Sequence, residues 1–165
     1  GAEAWRLERA LILNEPWRLA TGQLVHLGWT HMLMNLVGLV VVWALFGRDL
    51  DVRQWGAAIV ACGLGVGVGL LGFSPGLAWY VGFSGILHGL LAVVVVVRVS
   101  RRRAPLDLLL AAALVAKLVL ERFAGAEAGT AQLIGAGVAV DAHLYGALAG
   151  GVVGGVFAVM RRTAP

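Results

Sequence analysis

Gly82-Phe83-Ser84-Gly85-Ile86-Leu87-His88-Gly89-Leu90-Leu91-Ala92-Val93-Val94-Val95-Val96-Val97-Arg98 is the stretch that decides the fold class. Between Ser84 and Arg98 only His88 interrupts the apolar run, and Arg98, Arg101, Arg102 and Arg103 close it. An apolar segment of this kind, extended to about 18 residues, reads as a helix crossing the hydrocarbon core of a bilayer. The basic cluster behind it marks the cytoplasmic end.

Working outward, the same pattern recurs. Apolar segments cover Gln23–Phe46, Gln54–Phe73, Ser84–Val99, Pro105–Phe123 and Ala139–Met160. The expected fold is an all-α, polytopic membrane helix bundle with about five spanning helices, in a single domain over residues 1–165. Composition agrees. Of the 165 residues 60% are hydrophobic and 13% charged, whereas a soluble domain carries about a quarter charged residues. The net charge is +4, but the basic residues gather at segment ends. They read as topology signals facing a lipid bilayer rather than as a nucleic-acid surface. The lone cysteine, Cys62, lies in an apolar run and has no intrachain partner for a disulfide. No cleavable signal peptide is read, and a start at Gly1 on a polar stretch makes a longer natural sequence the expectation.

The loops assign sides. Arg48, Arg53, the Arg98–Arg103 cluster, Arg161 and Arg162 fall on one side if the segments alternate, the cytoplasmic one. The N-terminal stretch, the loop from Ser74 to Gly82 and the loop from Ala124 to Val140 fall on the other. There Arg6, Arg9, Arg18 and Arg122 are matched by Glu3, Glu8, Glu15, Glu121 and Glu127. Ser84 and His143 thus both begin segments at the non-cytoplasmic face. Gly146, Gly150 and Gly154 repeat every fourth residue and share a helix face, a spacing that lets two helices approach closely in lipid. Gly63, Gly65, Gly67 and Gly69 recur every second residue and spread around their helix.

Polar groups inside membrane segments are costly and point to function. Those read here are His26, His31, Asn35, Ser84, His88, Lys117, Asp141 and His143. Ser84 sits between Gly82 and Gly85 where a loop turns into a helix. Flanking glycines expose a hydroxyl and admit a substrate backbone, and amides at a helix start can hold an oxyanion. The competing reading of Ser84 is a helix N-cap. His143 can accept a serine proton near neutral pH, and the glycine face one turn later brings a neighbouring helix beside it. A histidine satisfied at the membrane interface is the alternative. Asp141, two residues away, points to another side of the helix and reads as an N-cap. His31 and Asn35, four apart, stack on one face and are either oxyanion donors or a polar pair joining helices. His26 reads as structural. His88 lies one turn below Ser84; side chains stacked on one helix rarely meet head to head, which favours support of His143 over action as the base. Lys117 reads as a snorkelling lysine.

In combination these residues resemble the rhomboid proteases. Pro16-Trp17-Arg18, His26, and His31 with Asn35 are similar to the family's first loop and H-x-x-x-N helix. Gly82-Phe83-Ser84-Gly85 is similar to its G-x-S-G motif, and Ala142-His143 with Gly146 and Gly150 to its A-H-x-x-G-x-x-x-G motif. The resemblance implies an intramembrane serine protease. Ser84 is the implied nucleophile and His143 the base, with His31 and Asn35 at the oxyanion and no metal or cofactor. The H-E-x-x-H zinc pattern is absent from the sequence. Gly85-Ile86-Leu87-His88-Gly89-Leu90 is similar to the rhombosortase branch, in which His88 stands where many rhomboids have an aromatic residue. That branch implies single-pass substrates carrying a C-terminal Gly-Gly anchor, a multi-pass position in the bacterial inner membrane, and a site toward the periplasm. The family core has six helices, so a first helix is expected before Gly1. The rivals are an inactive relative that binds membrane proteins, and a small transporter or channel subunit. The first is expected to lose Ser84 or His143. The second predicts broken helices or charge rings along a path.

Overall fold

The computed structural model describes residues 1–124 and 139–162, without the side chains of 161 and 162. Of the expected loop from Ala124 to Val140, residues 125–138, Glu127 among them, lie outside the described residues, as do the side chains of Arg161 and Arg162. A 3-10 turn at Ala2–Ala4 leads to a short strand β1 (Leu7–Glu8), a second 3-10 turn (Arg9–Leu11) and α1 (Arg18–Leu24). Then come α2 (Trp29–Phe46), α3 (Val52–Phe73), β2 (Trp79–Tyr80), α4 (Ser84–Arg101), α5 (Pro105–Ala124) and α6 (Val140–Arg162). The fold is a polytopic helical bundle, and the protein is a multi-pass membrane protein.

Four of the helices, α2, α3, α4 and α6, are long and apolar enough to cross a membrane. At 20 residues, α5 spans about 30 Å by helical rise, but it carries Asp107, Lys117, Glu121 and Arg122. Two of these charges turn inward. Asp107 meets Arg98, and Glu121 meets His143. Outward faces are apolar, with Val37, Val60, Val115 and Val152 all exposed, as a lipid-facing surface requires.

The first segment differs from its expected bounds. Gln23 belongs to α1, and the spanning helix starts only at Trp29. The break has a physical cause: Gln23 is buried and donates its side-chain amide to the Gly63 carbonyl at 2.7 Å. The chain then leaves α1 extended at Val25 and re-enters helix after an extended Gly28. The α3 start is set by a capping box, in which Asp51 and Gln54 each accept from the other's backbone amide.

The core lies along α4, whose residues Leu90, Val93, Val94 and Val97 are fully buried. The glycines of α6 dock on it. A Cβ at Gly146 would overlap the Gly85 carbonyl, one at Gly150 the Gly89 carbonyl, and one at Gly154 would press on Val93. The two backbones therefore touch along three successive turns, the close approach that small residues permit in lipid. The α3 glycines serve several neighbours. Gly63 faces Ile86, Gly65 faces Ala149, Gly67 faces Leu19 and Gly69 faces the Tyr145 ring.

A two-strand ladder, Leu7 opposite Tyr80 and Glu8 opposite Trp79, ties the N-terminal stretch to the loop before Ser84. Arg9 secures it. Its guanidinium donates to the carbonyls of Leu70 and Leu71 in the last turn of α3, and of Ser74 and Leu77 in the loop that follows. Neither feature is legible in the hydropathy pattern.

Candidate active site

Four helices, α2, α4, α5 and α6, bring the polar side chains together at one end of the bundle. The loop after β2 turns sharply at Gly82, whose φ of +117° lies where L side chains are strained. Its amide donates to the Gly22 carbonyl at 3.0 Å. Two residues later α4 begins at Ser84, with Phe83 rather than Ser84 in the N-cap position. The Ser84 hydroxyl caps no amide. It lies 3.0 Å from His143 Nε2, which the glycine face of α6 carries in. Gly85 makes this possible, because a Cβ there would stand 2.9 Å from the Ala142 carbonyl oxygen.

His143 is buried, and each of its ring nitrogens has a partner. Nδ1 lies 2.9 Å from Glu121 Oε2, on α5. A carboxylate accepts, so the hydrogen on this ring sits on Nδ1 and leaves the Nε2 lone pair toward Ser84; the partners assign the tautomer. The other Glu121 oxygen accepts from Lys117. Lys117 is half-exposed and paired one turn from Glu121, so its ammonium has a protein partner besides solvent.

The His88 ring stacks on that of His143, centroids 4.0 Å apart and planes 15° from parallel. Its Nδ1–H donates to the Ser84 carbonyl at 2.8 Å, which leaves Nε2 bare. His88, Glu121 and His143 hold their ligand-type atoms within 4.8 Å of one another and are the group among the described residues that could hold a metal ion. A cation bound by all three would take one of the His143 nitrogens from Ser84 or from Glu121.

His31 and Asn35 flank the turn from the α2 side. A Cβ on Gly82 would lie 2.7 Å from His31 Nε2 and 3.8 Å from Asn35 Nδ2. Among the described residues His31 Nδ1 and Asn35 Nδ2 are buried polar atoms without partners. Orphaned groups of this kind are uncommon and call for an explanation. His26 sets its ring edge-on to His31, centroids 4.9 Å apart, and lines an open groove of about 470 Å³ with Trp5 and Trp29. Burial holds its imidazole below the ordinary range, partly offset by a hydrogen bond with the Leu24 backbone.

Asp141 turns away from His143. The helix starts at Val140, so Asp141 lies inside the first turn rather than at the N-cap. It accepts from the Ser74 hydroxyl at 2.5 Å and faces Arg122 at 3.6 Å.

Two side chains of the site escape sequence reasoning. Glu121 reads as one of several outer-face charges; its place four residues after Lys117, level with the start of α6, is the only signal. Tyr80 is buried and donates to the Gly82 carbonyl at 2.8 Å. Burial pushes its phenol up to about 12, against a smaller opposing pull from Gly85 and Ser84 beside it. It stays neutral at physiological pH.

The Rhomboid domain matches residues 13–160 of this chain. The chain belongs to the rhomboid family. Rhomboids are generally intramembrane serine proteases, and the matched span contains Ser84, His143, His31, Asn35, His88 and Glu121 alike. Comparison with curated proteins and with solved structures yields no match.

Proposed function

We propose that this rhomboid is an intramembrane serine endopeptidase of the rhombosortase type. The observation that carries the reading is the 3.0 Å approach of Ser84 Oγ to His143 Nε2. Ser84 attacks the scissile carbonyl, and its proton passes to His143 Nε2. The Ser84 amide, exposed as the first of α4, and the unpartnered nitrogens of His31 and Asn35 stabilise the oxyanion that develops. His143 then returns the proton to the leaving amine, and water resolves the acyl-enzyme by the reverse sequence.

The similarity of Gly85–Leu90 to rhombosortases supports a substrate class: single-pass bacterial proteins ending in a Gly-Gly motif, an apolar helix and a basic tail. The loop charges support an inner-membrane protein with Ser84 at its periplasmic face. The test is co-expression with a Gly-Gly-tailed protein, followed by mass analysis of its new C-terminus. Wild type is expected to cut at the anchor, whereas Ser84→Ala and His143→Ala leave the tail intact while remaining folded. Cleavage by Ser84→Ala would refute the nucleophile. An uncut tail alongside Ser84-dependent cleavage of other membrane substrates would refute the branch alone.

A further inference from the structure

We propose that Glu121 is a positioning residue that turns the Ser84–His143 pair into a Ser–His–Glu triad assembled from three helices; this rests on the peptidase reading above. The geometry has the order that such a triad needs: hydroxyl to Nε2 at 3.0 Å, Nδ1 to carboxylate at 2.9 Å. Glu121 selects the working tautomer. Without an acceptor at Nδ1 the proton is free to sit on Nε2, where it blocks the serine.

Its surroundings suit the task. The side chains of His143 and Glu121 are 6% and 11% exposed. An imidazolium formed there during attack is poorly hydrated and needs a fixed counter-charge. Glu121 provides it without taking the proton: Ser84 loses its hydrogen to Nε2, and Nδ1 keeps its own. Two contacts hold the parts still. Lys117 pins the second carboxylate oxygen, and the His88 ring lies flat on His143. Asp141, nearer in sequence, is committed to Ser74 and Arg122 and does not compete.

The test uses the full chain reconstituted in lipid, with a fluorophosphonate as probe of Ser84. Saturation kinetics separate the maximal labelling rate from the apparent affinity. Glu121→Gln is expected to lower the maximal rate by about a hundredfold or more while affinity stays within about threefold. Glu121→Asp, which keeps the charge on a shorter arm, recovers about tenfold of that loss by the same logic. Nitrogen-15 histidine NMR supplies a readout that a merely structural role would not move. The His143 proton should sit on Nδ1 in wild type and in Ser84→Ala, and leave that position in Glu121→Gln. Wild-type labelling that Glu121→Gln retains within about threefold overturns the proposal and leaves the peptidase reading standing. No labelling of wild type overturns both. If Glu121→Gln does not fold, the wild-type spectrum and Glu121→Asp decide, and an Nε2–H tautomer in wild type is the overturning result.

Discussion

Both ends of α5 are tied by buried charge, and the two junctions are built differently. At the end near Arg101 the Arg98 guanidinium donates to Asp107 at 2.6 Å and to Asp49 at 3.0 Å. At the Ser84 end, the α5 carboxylate is Glu121 and its partner is an imidazole, which passes the connection on to a hydroxyl. Arginine keeps its proton at any accessible pH, so the first junction has nothing to transfer. Histidine exchanges its proton near neutrality, and serine becomes a nucleophile when it loses one. One end of α5 is thus tied to an arginine of α4, and the other to an imidazole of α6 that reaches Ser84 on α4. The difference lies in the residue opposite the carboxylate.

That contrast can be broken by substitution, the largest effect first. Arg98→Met leaves Asp49 and Asp107 buried without their cation. Breaking such a pair costs about 3–5 kcal/mol, so thermal unfolding in detergent should occur well below wild type. Cleavage per folded molecule should hold, because the Ser84 end is untouched. A loss of specific activity larger than the loss of folded protein would show that the two junctions are coupled.

Asn35→Ala acts only at the other end. One oxyanion donor is worth about 3 kcal/mol, or roughly a hundredfold in kcat, with little change in KM. The same variant relieves an unpartnered buried amide and should not lower stability. If kcat holds and only stability moves, Asn35 joins helices and holds no oxyanion.

His88→Phe sharpens the comparison most finely. It keeps a flat ring against His143 but removes the bond to the Ser84 carbonyl. A loss of about fivefold in kcat is expected, in line with one hydrogen bond of about 1 kcal/mol, whereas His143→Ala is inactive. An inactive His88→Phe beside an active His143→Ala would make His88 the base.

Much of this architecture is legible in the chain. Ser84–Val99 and Pro105–Phe123 match α4 and α5 to within two residues, because hydrocarbon tolerates only apolar, internally hydrogen-bonded segments. The Gly146-Gly150-Gly154 spacing announces a close helix contact, and α4 is the helix that receives it. The break after α1 is not legible. Gln23 and His26 sit in a run apolar enough to pass as one helix, and only the Gly63 carbonyl, 40 residues away, explains the interruption.

By itself the sequence determined a membrane bundle with a serine and a histidine opening two segments at one face. Both follow from composition and spacing along a single helix, and those are local properties. Tertiary structure alone decided which groups stand behind the histidine. Asp141 is two residues from His143 and misses it, since side chains two apart on a helix diverge. Glu121 is 22 residues away and meets it at 2.9 Å. No periodicity connects α5 to α6; the meeting depends on how the helices dock. The same holds for Arg98, a topology signal as sequence, which the packing of α4 against α5 and Asp49 turns into an internal tie.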